Sequence, residues 1–390
     1  MKPLERLMAL CEKPERLVLG LSSGTSADGV DAALVKIRGN GISTQAEIVV
    51  GKTYDYTEGL HQTALTLGEA PAAKVCIANF AIGEFFADRA LDLIREAGLK
   101  PDDVDLIGTH GQTIYHLPRG PHPHCTSSTL QIGEPDVIAE KTRIPVIADF
   151  RTRDVAAGGD GAPLVPYVDY LLFRRESGAV ALQNIGGIAN VSVVTPDIED
   201  LIAFDTGPGN MPLDSTMRIL TRGKEGLDQS GRHALRGRID ENLLQKLMTH
   251  PYFELEPPKS TGREMFGDQW VLKILKGKGN LSVLDVLATL TVFVAKSIHD
   301  AYVRYVFPHQ DVREVLVSGG GAHNHTLMAH LRRFFSPVRV MDLGEGGMDP
   351  DLREAMAFAI LANETLFGNP NNVPAATGAR WPVVLGKICP

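Results

Sequence analysis

"LVLGLSSGTSADGVDAALVKI", residues 17–37, is the stretch on which the fold reading turns. Two apolar runs flank a polar turn that holds Gly24, Gly29 and several hydroxyls, which predicts a strand hairpin with a turn longer than the two-residue type. A mere connection does not need so many hydroxyls. A second stretch, "GAVALQNIGGIANVSVV" at 178–194, repeats the strand, turn, strand pattern. It hints at an internal duplication of fold without obvious sequence identity.

Outward from the first hairpin, Ile82, Phe86, Ala90, Leu93 and Ala97 recur at helical spacing, and Gly98 supplies a stop. "VDLIGTHGQTIYH" (104–116) reads as a buried strand running into a polar turn, and "IPVIADFRTRD" (144–154) repeats that design. Further on, "SVLDVLATLTVFVAKSIHDAYVRYVF" (282–307) has one apolar helical face, with Ser282 and Asp285 as a capping pair. "EVLVSGGGAHNHTLMAHLRRFF" (314–335) is strand, triple-glycine turn, helix. The sum is an α/β chain in two halves. The glycine-rich segment 155–166 reads as a hinge, so the expected division is an extension over 1–16, a domain over 17–155 and a domain over 156–390. The last segment is free to pack back on the first domain.

Composition narrows the function classes. Across 390 residues, 44% are hydrophobic and 22% charged, the values of an ordinary globular chain. A net charge of −8 lacks the basic field that nucleic-acid binding uses. Cys11, Cys76, Cys125 and Cys389 lie far apart, which points to neither a zinc site nor a disulfide framework and fits a reducing cytoplasm. No signal peptide is readable and no apolar run reaches about 18 residues, so no membrane span is expected.

Three glycine-rich turns, 22–29, 205–210 and 318–324, each follow an apolar strand and offer backbone N–H groups to an oligophosphate. Neither the P-loop nor the dinucleotide fingerprint is present. In "FDTGPGN" (204–210), Asp205 stands at a strand end beside such a turn. It reads either as a general base or Mg²⁺ ligand for phosphoryl transfer, or as a turn aspartate bonded to its own backbone. Asp28 and Asp31 carry the same two readings. His110 and Gln112 could bond a hydroxylated substrate or be satisfied structural groups. His116, His122, His124 and Cys125 crowd into a loop without a second ligand cluster, which argues against zinc. Arg151, Arg153 and Asp154 could hold substrate or a phosphate oxygen, or form a salt-bridged boundary. Lys259 and Arg263 allow the same pair of readings, and Glu354 sits on an expected helix.

With these residues assembled, the chain resembles the anhydro-N-acetylmuramic acid kinase family, within the sugar kinase, heat-shock chaperone and actin superfamily. The resemblance rests on "SGTSADGVDAALV", "THGQTIYH", "LQIGEP", "IADFRTRDVAAGGDGAPLVP", "NIGGIANVS", "FDTGPGN", "PPKSTGRE" and "VSGGGAHN", in the family's order. It implies two ribonuclease-H-like domains flanking a nucleotide and sugar cleft, with ATP and Mg²⁺ as cofactors, domain closure on ligand binding and a homodimer. The implied reaction opens the 1,6-anhydro ring of the sugar with water while O6 is phosphorylated, giving N-acetylmuramic acid 6-phosphate for cell-wall recycling.

The resemblance also assigns residues. Asp205 matches the catalytic base, with a tentative metal role shared with Glu354. Gly24, Thr25, Ser26, Ala27, Asp28, Gly29, Val30 and Asp31 match the phosphate-binding segment. Gly207 and Gly209 join it at the second turn, and Gly319, Gly320 and Gly321 lie toward the adenosine end. Asp28, His110, Arg151, Arg153 and Asp154 are expected sugar contacts. The chain departs from the family pattern at Ser22, Ala27 and Asp160. "NIGGIAN", "FDTGPGN" and "HPYFELEPPKSTGRE" are also similar to levoglucosan kinase, a same-chemistry alternative. An actin-like or chaperone-like nucleotide clamp is the alternative of another class.

Overall fold

A computed structural model describes residues 2–24, 27–117, 120, 127–257, 259–344, 349 and 352–390. The chain divides into two compact units, Met1–Leu172 together with Asp351–Pro390, and Phe173–Pro350.

The first unit is built on a seven-stranded sheet. Its strands are β1 (Glu15–Ser23), β2 (Gly29–Arg38), β3 (Gln45–Asp55), β4 (Leu106–Leu117), β5 (Ser128–Ile132) and β6 (Val146–Ala148), with β12 (Lys387–Cys389) returning from the C-terminal end. The order is β3-β2-β1-β4-β6-β12, and β5 pairs with β4. β1, β2 and β3 form an antiparallel meander, whereas β4 and β6 continue parallel to β1.

The second unit holds β7 (Ala179–Ile185), β8 (Ile188–Val194), β9 (Ile202–Pro208), β10 (Val312–Ser318) and β11 (Arg339–Asp342). Their order is β9-β8-β7-β10-β11. Here too a three-strand antiparallel meander is followed by two parallel strands. This is the ribonuclease-H strand order, present once in each unit, and the duplication hinted at by the two hairpin sequences is real at the level of topology.

The expected helices are in place. Ala72–Glu96 buries Ile82, Phe86, Ala90 and Leu93 against the first sheet, and Gly98 at φ +74° ends the run. Val283–Tyr305 starts from a Ser282/Asp285 capping box and carries the second core. By length and composition that helix is apolar enough to cross a membrane. Its most apolar window is 78% buried within the protein, which makes it a core helix.

The boundary is placed differently. The first unit runs past residue 155, to Leu172, and the segment 155–166 is tied into it. Asp154, fully buried, accepts the Gly161 N–H (2.8 Å), the Asn372 amide (2.7 Å) and the Thr377 hydroxyl (2.7 Å). The first helix, Pro3–Glu12, buries Leu7 and Leu10 and belongs to the same unit.

One contact explains why residues 352–390 rejoin the first unit. Gly20 of β1 and Gly108 of β4 are register partners at the centre of the sheet. The helix Arg353–Leu366 lies directly on them: a Cβ at Gly20 would sit 1.8 Å from the Ala355 carbonyl oxygen, and one at Gly108 would sit 2.2 Å from that of Phe358. No side chain fits there. Polar anchors fix the far end of this helix. The buried Glu364 carboxylate accepts from the Gly41 N–H (2.8 Å), the Thr44 hydroxyl (2.9 Å) and the Asn369 amide (2.8 Å). The buried Arg16 guanidinium donates to Asn363 (2.7 Å).

Gly108→Val should therefore cost at least about 2 kcal/mol of folding stability, since backbone cannot yield as a flexible side chain does. Gly59, in the helix Glu58–Thr66, would place a Cβ in open space with no atom within 4 Å, so Gly59→Ala should be neutral or slightly stabilising. Urea denaturation midpoints of the two variants check the contrast.

Candidate active site

In the first unit the hairpin turn between β1 and β2 is held from below. Ser23 Oγ donates to the Gly29 carbonyl (2.6 Å), and Gln112 Nε2 donates to the Gly24 carbonyl (3.0 Å). Tyr56 OH lies 3.2 Å from both Ser23 Oγ and Gln112 Oε1. Gln112, 1% exposed, is thus a support of the turn, not a free hydrogen-bonding arm. Gly24 and Asp28 are exposed, and Thr25 and Ser26 lie outside the described residues. Ala27 takes φ +52°, a left-handed conformation that its Cβ makes costly, and its carbonyl accepts from His61 Nδ1 (2.6 Å). Two residues of the expected phosphate segment already lie within the sheet. Val30 is fully buried in the core, and the Asp31 carboxylate accepts from the hydroxyl of Thr53, its register partner on β3 (2.5 Å).

"THGQTIYH" is not a turn. It continues β4 to Leu117, and "FRTRD" opens the short helix Phe150–Ala156. This brings His110 and Arg151 together. Arg151 Nε donates to His110 Nε2 (2.9 Å) and Nη1 donates to the Gly161 carbonyl (2.7 Å). A guanidinium can only donate, so His110 Nε2 must accept, its proton sits on Nδ1, and Nδ1 donates to the Gly111 carbonyl (3.0 Å). Burial first, and the Arg151 charge second, push the imidazole down to about 3. His110 is neutral at physiological pH and serves to aim Arg151.

Arg153 on the same helix is exposed. Asp154 is corrected as a substrate contact, because both its oxygens are spent on the hydrogen bonds described above. Glu354, at the start of the helix Arg353–Leu366, accepts from Ser22 Oγ (3.2 Å). His122, His124 and Cys125 lie outside the described residues.

In the second unit, Asp205 sits on β9, the edge strand of its sheet. A bulge aims it. Asn190 faces Asp205 and Ala189 faces Gly207, leaving Thr206 as the extra residue. The bulge has its own buried supports. Gln183 Nε2 donates to the Asn190 carbonyl (2.8 Å) and reaches Thr206 Oγ1 (3.3 Å), while Thr206 Oγ1 donates to the Ala189 carbonyl (3.1 Å). Gln183 and Thr206 are fully buried. Sequence reasoning missed Gln183; its signal was an amide, next to Asn184, in an otherwise apolar strand.

Residues 259–261 cover the open edge of β9. The Asp205 N–H donates to the Lys259 carbonyl (3.1 Å), the Thr261 N–H donates to Asp205 Oδ2 (2.9 Å), and Tyr252 OH donates to the Asp205 carbonyl (2.6 Å). Among the described residues Oδ1 has no hydrogen-bond partner. Burial raises the carboxyl to about 6, with the Thr261 N–H opposing. A group so placed is ionised at neutral pH yet basic enough to take a proton.

The glycine turns of this unit converge, although not all as expected. The N–H groups of Gly209, Asn210 and Met211 are already spent on the carbonyls of Gly187 (3.0 Å), Gly186 (2.7 Å) and Gly187 (3.0 Å). Gly209 is therefore a packing glycine: its Cβ would lie 2.3 Å from the Gly186 oxygen. Gly207 is buried within β9. Gly319 packs against Asn184 and Ile185, and Gly320 and Gly321 open a 3₁₀ turn whose leading N–H groups lack intrahelical partners. Gly186 and Gly187, absent from the sequence-based set, form the β7–β8 turn at this same place.

Among the described residues no three His, Cys, Asp or Glu side chains are grouped as a metal cage.

The model of the anhydro-N-acetylmuramic acid kinase family matches residues 16–390. A relative from Caldanaerobacter subterraneus subsp. tengcongensis, named anhydro-N-acetylmuramic acid kinase, is 48% identical over 99% of this chain and 100% of its own length. A relative of the same name from Bacillus cereus is 42% identical over 95% of this chain and 98% of its own. Among solved structures, the activator of the 2-hydroxyisocaproyl-CoA dehydratase from Clostridium difficile covers 90% of this chain and 96% of its own at 15% identity, with a TM-score of 0.40. On the family match and these two relatives, the chain belongs to the anhydro-N-acetylmuramic acid kinase family.

Proposed function

We propose that the protein uses ATP to phosphorylate O6 of anhydro-N-acetylmuramic acid while water opens the 1,6-anhydro ring. The observation that carries the reading is the state of Asp205: one oxygen held by Thr261, the other without a partner among the described residues, and a carboxyl raised to about 6 by burial. Asp205 takes a proton from water as that oxygen bonds to the anomeric carbon. The bond from that carbon to O6 breaks, O6 attacks the γ-phosphorus, and ADP leaves. The base is most effective when its affinity for the proton lies near the working pH.

The glycine turn at 24–29 and the turn at 319–321 are assigned to the nucleotide, and Arg151, oriented by His110, to the anionic parts of the substrates. Asp205 and Glu354 keep, by resemblance, the role of carboxylates for Mg²⁺. When bound, that ion neutralises phosphate charge. Mg²⁺, a homodimer and a cytoplasmic setting are carried by resemblance alone.

Coupled ADP-release assays with anhydro-N-acetylmuramic acid and levoglucosan in parallel test the substrate, and the muramyl sugar should turn over faster. Asp205→Asn should lower kcat by about 10²–10⁴-fold with nucleotide binding intact. A variant turning over at the wild-type rate would remove the base assignment.

The pH dependence has a defined sign. The wild-type rate should fall as pH drops through about 6, because the protonated carboxyl no longer accepts a proton. Stability runs the other way. A carboxyl raised by burial favours the unfolded chain once ionised, so Asp205→Asn should unfold at the same or a higher temperature than wild type at pH 8. Differential scanning calorimetry checks this and separates loss of chemistry from loss of fold.

A further inference from the structure

We propose that Lys259 is the positioning residue for Asp205: its ammonium, gripped between the rings of Tyr252 and Tyr305, fixes the segment that holds the carboxylate. This rests on the reading of Asp205 as the base. Lys259 is 8% exposed and makes no ion pair among the described residues. Its Nζ lies 4.9 Å from the Tyr252 ring centre and 4.7 Å from that of Tyr305. A buried ammonium without a carboxylate is costly, and two aromatic faces are the compensation present here.

Both rings are themselves anchored. Tyr252 OH donates to the Asp205 carbonyl (2.6 Å), and Tyr305 OH donates to the Leu255 carbonyl (2.9 Å). The circuit closes through the backbone, since the Lys259 carbonyl accepts the Asp205 N–H (3.1 Å). Two residues on, Thr261 delivers its N–H to Oδ2. β9 is an edge strand, so no further strand of the sheet sets the register of 259–261 against it. The lysine clamp does.

The charged and titratable groups around Lys259 are Tyr252, Tyr305, Arg304 and Glu254. Burial chiefly, then the Arg304 charge, bring its ammonium down to about 8, while Glu254 opposes. Around the Asp205 carboxyl the neighbours are the Thr261 N–H and the Tyr252 ring. Loosening the clamp while keeping the space filled weakens the Thr261 bond to Oδ2, which raises the proton affinity of Asp205.

The test uses the full-length protein, with Lys259→Met as a variant of similar length and no charge, and Lys259→Arg as the conservative one. The Asp205 carboxyl is titrated by carbon NMR after selective aspartate labelling, its signal assigned with Asp205→Asn, alongside kcat and KM. Lys259→Met should lower kcat about tenfold with KM within about twofold, and move both the NMR midpoint and the acid limb of the rate upward. Lys259→Arg should restore all three. Tyr305→Leu, which removes one wall and keeps the lysine, should move the midpoint the same way and serves if Lys259→Met fails to fold. A midpoint that is unchanged or lower in these variants overturns the proposal. The NMR midpoint does not depend on turnover, so an active Asp205→Asn protein would count against the base reading while leaving the clamp to be judged separately.

Discussion

The contact on which the first unit depends is backbone against backbone, with Gly20 and Gly108 meeting the carbonyls of Ala355 and Phe358. Because no Cβ intervenes, the helix Arg353–Leu366 lies close enough to the sheet for its side chains to reach functional groups of distant sequence. Glu354 meets Ser22, and the Phe358 ring lies 4.7 Å from that of His110. That packing helps to bury His110, which keeps it neutral and lets it accept from Arg151. A packing constraint at two glycines thus becomes an electrostatic property two residues away on the strand. The same approach positions Asn363 and Glu364 for the polar anchors that hold the turn at 39–44.

The two units share one strand order but use it for different ends. In the first, the β1–β2 turn is long and stiffened by Ser23, Gln112 and Tyr56. In the second, the corresponding β7–β8 turn is short and its carbonyls accept from the backbone of residues 209–211. The third strand of the second meander carries the carboxylate, and a bulge supported by Gln183 and Thr206 sets its direction. Burial is the larger influence on Asp205 and the Thr261 hydrogen bond the smaller, which is why its carboxyl ends above the ordinary range. An exposed aspartate at a turn would be too weak a base for the same task.

Much of this was legible from sequence. The hairpin at 17–37, the helix ended by Gly98 and the Ser282/Asp285 cap follow from local rules of period and capping. Asp205 stood out as an acid at a strand end beside a glycine-rich turn. What escaped were tertiary facts. Gly20 and Gly108 look like ordinary strand residues until the helix that touches them is known. Asp154 resembles a substrate ligand beside two arginines, yet it spends both oxygens on Gly161, Asn372 and Thr377, two of them far along the chain. Gln183 and Lys259 act through carbonyls and rings that no spacing rule brings together, and Gly209 serves packing where its motif suggested phosphate.

The central claim is that water attacks the anhydro sugar with Asp205 as base while O6 receives the phosphoryl group. Its most direct test is a single reaction with ATP and anhydro-N-acetylmuramic acid in ¹⁸O-labelled water, quenched early and read by mass spectrometry. The account predicts a sugar 6-phosphate carrying one ¹⁸O on the anomeric carbon, with none in its phosphate. Unlabelled sugar phosphate, or label released in inorganic phosphate, would contradict it.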